Sequence, residues 1–319
     1  YNMVDGRPVF TGSEFLDTAN QEIDRSDVFR GYLISELKIS KFTARIGSRY
    51  ESVATRRNDK LTTDRILRQD DIWIPGGGVS YQLSDDQMLF FGVHKGITLP
   101  GPGEVGQVKP EEALNYEIGY RLRTPLYLEV VGFYSDYQNL LGTCTFSAGC
   151  TNTDLDRQFN SGKVEIAGVE TQIGFDYHLK GYHIPIQITN TYTQAEFSED
   201  ITSANKIWGT GEIRAGDPLP YIPEWKTSAS VGVKTRKWSS FLTWNYQSRM
   251  FDQSVQEDRQ EVDAYSTFNF NGSYNWSERL STNLKIQNIT NERYIVSLRP
   301  FGARPGAPFW ATAGLTYKY

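Results

Sequence analysis

The chain is 319 residues long, carries a net charge of −5 and is 13% aromatic, with 19 Tyr, 17 Phe and 7 Trp. The acidic balance gives no basic footprint for nucleic acid, and no apolar run is long enough for a transmembrane helix. A polar chain this rich in aromatics fits a β-protein, either soluble or a membrane barrel whose alternating strands hide their apolar face.

Residues 1–28 are read as the tail of a loop. From there period two dominates, and about thirteen strands are expected, at 29–39, 41–52, 76–84, 86–95, 112–122, 125–136, 163–177, 181–194, 226–236, 238–249, 264–276, 279–289 and 307–319. In the second strand Phe42, Ala44, Ile46, Ser48 and Tyr50 share a face, and Thr43, Arg45, Gly47, Arg49 and Glu51 share the other. Tyr116, Ile118, Tyr120 and Leu122 oppose Glu117, Arg121 and Arg123 in the fifth. Val169, Ile173, Phe175 and Tyr177 then oppose Glu170, Gln172 and Asp176. Leu284 and Ile286 oppose Lys285, and Phe309, Ala311, Ala313, Leu315, Tyr317 and Tyr319 line one side of the last strand. No helical period competes over a comparable length, and many segments approach the roughly 9–11 residues that cross a bilayer at a tilt.

The connections alternate in length. Short ones lie near Ser40, Asp85, Thr124–Pro125, Leu179–Gly181, Lys237 and Ser277–Glu278; long ones cover 53–75, 96–111, 137–162, 195–225, 250–263 and 290–306. Short turns at one end and long loops at the other are the pattern of an outer-membrane barrel. Tyr177, Tyr182, Trp238, Tyr274, Trp276, Tyr317 and Tyr319 cluster at the short-turn end as one interfacial girdle. The expected fold is therefore all-β, a transmembrane antiparallel β-barrel. Its last strand descends to the periplasm. Counting back, the first strand also descends, so residues 1–28 belong to an extracellular loop and 29–319 form the C-terminal section of a larger barrel.

Signals for catalysis are poor. His94, His178 and His183 sit in no nucleophile or metal motif, and Gly76–Gly78 opens a strand without the Lys-Ser/Thr of a phosphate loop. Cys144 and Cys150, in GTCTFSAGC, have no His nearby and no third Cys, so a structural surface disulfide is expected in place of a zinc site. The expectation is no enzyme and no bound metal.

Several stretches carry a family resemblance. KPEEALNYEIGYR (Lys109–Arg121), GFYSDYQNLLGT (Gly132–Thr143), VEIAGVETQIGFDY (Val164–Tyr177) and the ending NLKIQNITNERYIVSLRPFGARPGAPFWATAGLTYKY (Asn283–Tyr319) resemble TonB-dependent outer-membrane receptors. FFGVHKGITLPGPGEV (Phe90–Val105) is similar to the ferric-citrate branch. The resemblance implies a 22-stranded barrel, of which this chain supplies about the last thirteen strands, and a plug domain with a TonB box that is not in this chain. It implies import of a ferric chelate, ferric citrate or another carboxylate siderophore, as transported ligand with no covalent cofactor. The implied partners are the TonB complex through the plug, the ferric siderophore, and outer-membrane lipids and lipopolysaccharide. A passive porin-like channel, a surface adhesin or bacteriocin-docking protein, and receptors for haem, cobalamin or sugar are the alternatives.

An anionic chelate points to guanidinium groups near the mouth, because they bind carboxylates bidentately. The candidates are Arg56, Arg57, Arg249, Arg299 and Arg304, with Tyr137 and Gln138 beside them. Arg45, Arg49, Glu117, Arg121, Glu170 and Lys285 are expected to line the lumen and face the plug.

Overall fold

A computed structural model describes every residue except 1, 5–6, 10–21, 60–64, 103, 105–107, 146–156, 204–206, 258 and 300–301. Thirteen strands form one sheet in which each strand pairs antiparallel with the next. They are β1 (Glu22–Ile39), β2 (Phe42–Asp59), β3 (Arg65–Ser84), β4 (Gln87–Thr98), β5 (Glu111–Arg123), β6 (Leu126–Gln138) and β7 (Val164–Leu179). β8 (Tyr182–Phe197), β9 (Trp225–Lys234), β10 (Trp238–Gln247), β11 (Tyr265–Asn275), β12 (Leu280–Gln287) and β13 (Trp310–Tyr317) complete it. No helix occurs among the described residues. β1 and β13 each pair on one side only.

All thirteen expected strands are present. The main difference lies at the long-loop end of β1–β3. β1 begins at Glu22, seven positions before 29, and most of the loop expected over 53–75 is strand. The register continues from Ile39↔Phe42 to Glu22↔Asp59, and from Phe42↔Tyr81 to Asn58↔Arg65. Two ion pairs lie on the inward face of this extension. Arg57 donates to Asp24 across the ladder at 2.8 and 2.9 Å, and Arg68 donates to Asp70 at 2.7 and 3.0 Å.

The short turns need few residues and local chemistry. Ser40 and Gly181 hold left-handed backbone, with φ of 54° and 77°; glycine reaches that region without a Cβ clash. In the Thr124–Pro125 turn the Thr124 hydroxyl donates to the Leu126 carbonyl at 3.0 Å.

Directly paired residues share a face, so the ladder fixes which side chains travel together. Leu37, Ala44 and Val79 form one such row; Phe91 continues it, opposite Val79 and Ile118. That face is apolar and exposed, reaching 77% at Leu33 and 71% at Ile46. The opposite face carries Glu36, Arg45, Glu117, Arg121, Glu129 and Lys285. Aromatic rings on this polar face lie over glycines of the neighbouring strand: a Cβ at Gly119 would overlap the Phe90 ring.

The apolar face has two aromatic belts. The expected one lies by the short turns, with Tyr274–Trp276 at 4.6 Å and Tyr317–Tyr319 at 5.6 Å between ring centroids. A second runs at the long-loop end through Tyr50–Trp73 at 5.1 Å, Tyr116–Tyr134 at 6.2 Å and Tyr192–Trp225 at 4.8 Å. Tyr182 and Tyr192 mark both belts on β8. Ten residues at about 3.3 Å each, tilted by about 40°, separate them by about 25 Å. That matches the apolar band of an outer-membrane barrel.

Candidate functional site at the looped mouth

Burial is concentrated above the second belt. The buried apolar cluster is Val164, Ala195, Phe197, Ile213, Leu219 and Val255, with Tyr137, Ile166, Ile201 and Trp208 packed against it. Val164, Ala195 and Phe197 lie on the wall face that is polar lower down. The same holds on β2 and β3. Val53, Thr55 and Ile72 are buried, while Ala54, Arg56, Leu67 and Gln69 on the other face are exposed. The long loops therefore fold over the polar face and narrow the mouth.

Five consecutive loops are joined in series. Loop 99–110 meets the wall where Arg68 donates to the Val108 carbonyl at 2.8 Å. It meets loop 139–163 where Asn160 accepts from the Lys109 amide at 2.8 Å and donates to the Lys109 and Asn139 carbonyls at 2.9 Å. Loop 198–224 joins through Trp208. Its indole donates to the Ser161 hydroxyl at 2.6 Å, its ring meets Phe197 edge-on at 5.8 Å, and its carbonyl accepts from the Ser254 and Val255 amides. Arg259 of loop 248–264 lies 4.5 Å over the Phe251 ring and 3.6 Å from Asp217. Loop 288–309 closes the series, with Arg299 donating to the nearly buried Asp252 at 3.2 Å. Asn288 anchors that last loop: its amide donates to the Glu292 and Ala307 carbonyls, both at 2.9 Å, and accepts from the Glu292 amide at 2.8 Å.

The expected ligand residues divide into three groups. Arg57 and Arg299 are held by Asp24 and Asp252, and Tyr137 packs into the buried cluster. Arg249 is exposed and reaches Glu261 at 3.2 Å; Arg304 is exposed in the short pairing of Arg304–Pro305 with Ile295–Ser297. Arg56 and Gln138 lie on the apolar side of the wall, away from the mouth interior, in the same rows as Leu67 and Glu112. Cys144 is disulfide-bonded, and Cys150 lies outside the described residues.

The expected lumen residues do share the polar face. Glu36 accepts from Arg45 and pairs with Lys38 at 3.0 Å; Glu51 bridges Arg49 at 3.1 Å and Arg30 at 3.2 Å. Arg121 pairs with Glu129, which also accepts from the Tyr127 hydroxyl at 2.7 Å. Glu117 and Glu170 line a hollow of about 400 Å³ with Arg121 and Glu129, and Lys285 lies 5.7 Å from the Trp310 ring centre. A larger hollow of about 1120 Å³ lies against β1–β4, lined by Arg30, Arg45, Arg49 and His94 over Gly47, Gly76, Gly78 and Gly92. Among the described residues no cluster of three or more His, Cys, Asp or Glu is placed to hold a metal ion.

One signal for the mouth went unused in the sequence. The second aromatic belt sits about ten residues up each strand from the turn girdle, and counting that distance finds Tyr50, Trp73, Tyr116, Tyr134, Tyr192 and Trp225. Just above it, hydrogen bonds from the Ser52 and Tyr50 hydroxyls hold the Asp71 carboxyl below the usual carboxylate range.

A family model described as TonB dependent receptor-like, beta-barrel matches residues 1–289. The chain is 22% identical over 349 residues to a probable TonB-dependent siderophore receptor, PirA, of Acinetobacter baumannii, covering 88% of this chain and 44% of that protein. It superposes on the unliganded ferric citrate transporter FecA with a TM-score of 0.73 at 20% identity, over 92% of this chain and 45% of that one. The copper transporter OprC superposes with a TM-score of 0.71 at 13% identity, over 93% and 48%. The chain thus spans less than half the length of these proteins. The structural likenesses establish the fold alone.

Proposed function

Because the chain belongs to the TonB-dependent receptor β-barrel family of the Gram-negative outer membrane, we propose that it forms the C-terminal wall and mouth of a receptor importing a ferric chelate. The observation that carries this reading is the joined cap of loops over the polar face of the wall. An open diffusion pore gains nothing from five loops tied in series across its mouth, whereas a receptor needs a shaped, desolvated site there. The name of the Acinetobacter relative favours a siderophore, and the resemblance of Phe90–Val105 to the ferric-citrate branch favours ferric citrate or another carboxylate siderophore.

The exposed guanidiniums of Arg249 and Arg304 are the groups on this chain that meet the anionic chelate. Arg57 and Arg299 brace the loops through their own carboxylates, and Tyr137 fills the cap core. The charges of the polar face, Arg45, Arg49, Arg121, Glu117, Glu170 and Lys285, hold the plug, which lies outside this chain. Strands outside the chain pair with β1 and β13 and close the barrel. Release of the chelate follows from TonB acting on the plug.

The test is binding of ferric citrate to the full-length receptor, followed by tryptophan fluorescence. Arg249→Ala with Arg304→Ala is expected to weaken binding about tenfold or more, since each charge-assisted hydrogen bond contributes about 1.5–3 kcal/mol. Unchanged affinity in the double variant removes these two residues from the site. No binding of ferric citrate or other ferric carboxylates by the wild-type receptor overturns the assignment of the ligand.

A further inference from the structure

The hairpin between β7 and β8 turns on two residues, Lys180 and Gly181, with Gly181 at a φ of 77°. Leu179 and Tyr182 form its closing pair, and in the next pair His178 stands directly opposite His183. In a two-residue hairpin the closing pair exchanges hydrogen bonds, so the pair after it is the close kind, with Cα atoms about 4.5 Å apart. The two imidazole rings accordingly stack, with 4.6 Å between centroids and planes 10° from parallel. Spacing along the sequence gives no metal motif here; the strand register makes the pair.

Both rings are on the polar face, since Tyr177, Leu179, Tyr182 and Ile184 occupy the other. Asp176 shares their face, and its Oδ1 lies 2.6 Å from Nε2 of His183. A carboxylate on one ring nitrogen fixes the orientation of an imidazole and leaves the other nitrogen, here Nδ1, for a metal. His178 and Asp176 are exposed, and His183 keeps about a third of its side chain open to solvent. Lys234 stands opposite His183 on β9, but its ammonium is placed over the Phe241 ring, 5.3 Å from the centre.

Two imidazoles at stacking distance suit ions that prefer nitrogen, Cu(II) most strongly and Zn(II) next, whereas calcium and magnesium require oxygen ligands. A turn of each ring about χ2, a broad torsion, lets both reach the roughly 2.0–2.1 Å of a metal–imidazole bond. The short turns are the periplasmic end of the barrel. We propose that His178 and His183 form a two-imidazole site for Cu(II) or Zn(II) at the periplasmic rim, with Asp176 positioning His183 and water completing the shell. The site offers two protein nitrogens, fewer than the three-ligand clusters that the described residues lack. A bound ion clips β7 to β8 beside the turn. The site lies at the opposite end of the wall from the mouth and does not depend on the imported chelate.

The experiment titrates Cu(II), and separately Zn(II), into the purified, tag-free full-length receptor in detergent, without any chelate. Electron paramagnetic resonance of the Cu(II) complex counts the bound nitrogens. Compact migration of the unheated protein on a gel reports that each variant is folded. His178→Gln combined with His183→Gln is expected to weaken Cu(II) binding at least about tenfold, and each single variant to remove one nitrogen from the spectrum. Asp176→Asn keeps both nitrogens and binds about tenfold more weakly. Wild-type affinity for both ions in the folded double variant overturns the proposal. So does a spectrum that neither single variant changes, or a wild-type receptor that binds neither ion. The difference between wild type and variants isolates this pair from histidines elsewhere in the receptor. Because no chelate is present, a receptor that fails to bind ferric citrate still gives a clear answer here.

Discussion

Asn288 shows how much one side chain can hold at the rim. It is 2% exposed, adopts a φ of 49°, and satisfies two carbonyls and one amide of the last loop. Asparagine tolerates the left-handed region better than other non-glycine residues. Replacement by alanine keeps the backbone strain and removes three hydrogen bonds to the backbone of Glu292 and Ala307. Each such bond contributes about 0.5–1.5 kcal/mol, so Asn288→Ala is expected to open loop 288–309 while the sheet survives. Hydrogen exchange of that loop in the full-length protein is the measurement; protection equal to wild type would show that the amide is dispensable. Orientation matters at this scale as well. Arg56 and Arg57 are neighbours in sequence, yet one faces outward and the other grips Asp24 over the mouth. Their opposite faces were readable, since Arg56 is in phase with Ile46 and Tyr50. Taking 53–75 as a loop hid that phase.

At the level of elements, the strands and short turns were legible because a half-buried strand has a strict period. The first membrane-near segments of β2 and β3, the girdle at the turns and the polar face with Arg45, Glu117 and Arg121 follow from alternation alone. The extension to Asp59 and from Arg65 was not legible, since its outward face is charged and only the fold shows that its inward Val53 and Ile72 are buried. The cap was illegible for the same reason: loops have no period, and Trp208 meets Ser161 and Ser254 only through the fold. The pair Asp252–Arg299 joins two loops of that cap, with Asp252 5% exposed at its side chain. Removing Asp252 takes away the carboxylate that accepts from both Arg299 and the Gln260 amide. Asp252→Ala is therefore expected to lower the local opening free energy of segments 248–264 and 288–309 together, by about 2–3 kcal/mol. Exchange rates that rise in one segment alone would show that the two loops move independently.

The whole molecule divides into a wall and a lid built on different physics. The wall is stabilised by a continuous antiparallel ladder and by lipid on one face, so it needs almost no buried core of its own. The lid is a small water-soluble core, Val164, Phe197, Ile213 and Val255, placed where the wall leaves the membrane. This division puts a ladder-bonded scaffold below and a packed cap of loops above. The fold does not choose the cargo, because a copper transporter shares it. The most direct test is uptake of radiolabelled iron as ferric citrate by an iron-starved strain lacking its own ferric-citrate receptor. Expression of the full-length gene is predicted to restore uptake, and deletion of TonB in the same strain to abolish it. Uptake that stays at the background of the receptor-less strain, or that persists without TonB, contradicts the account.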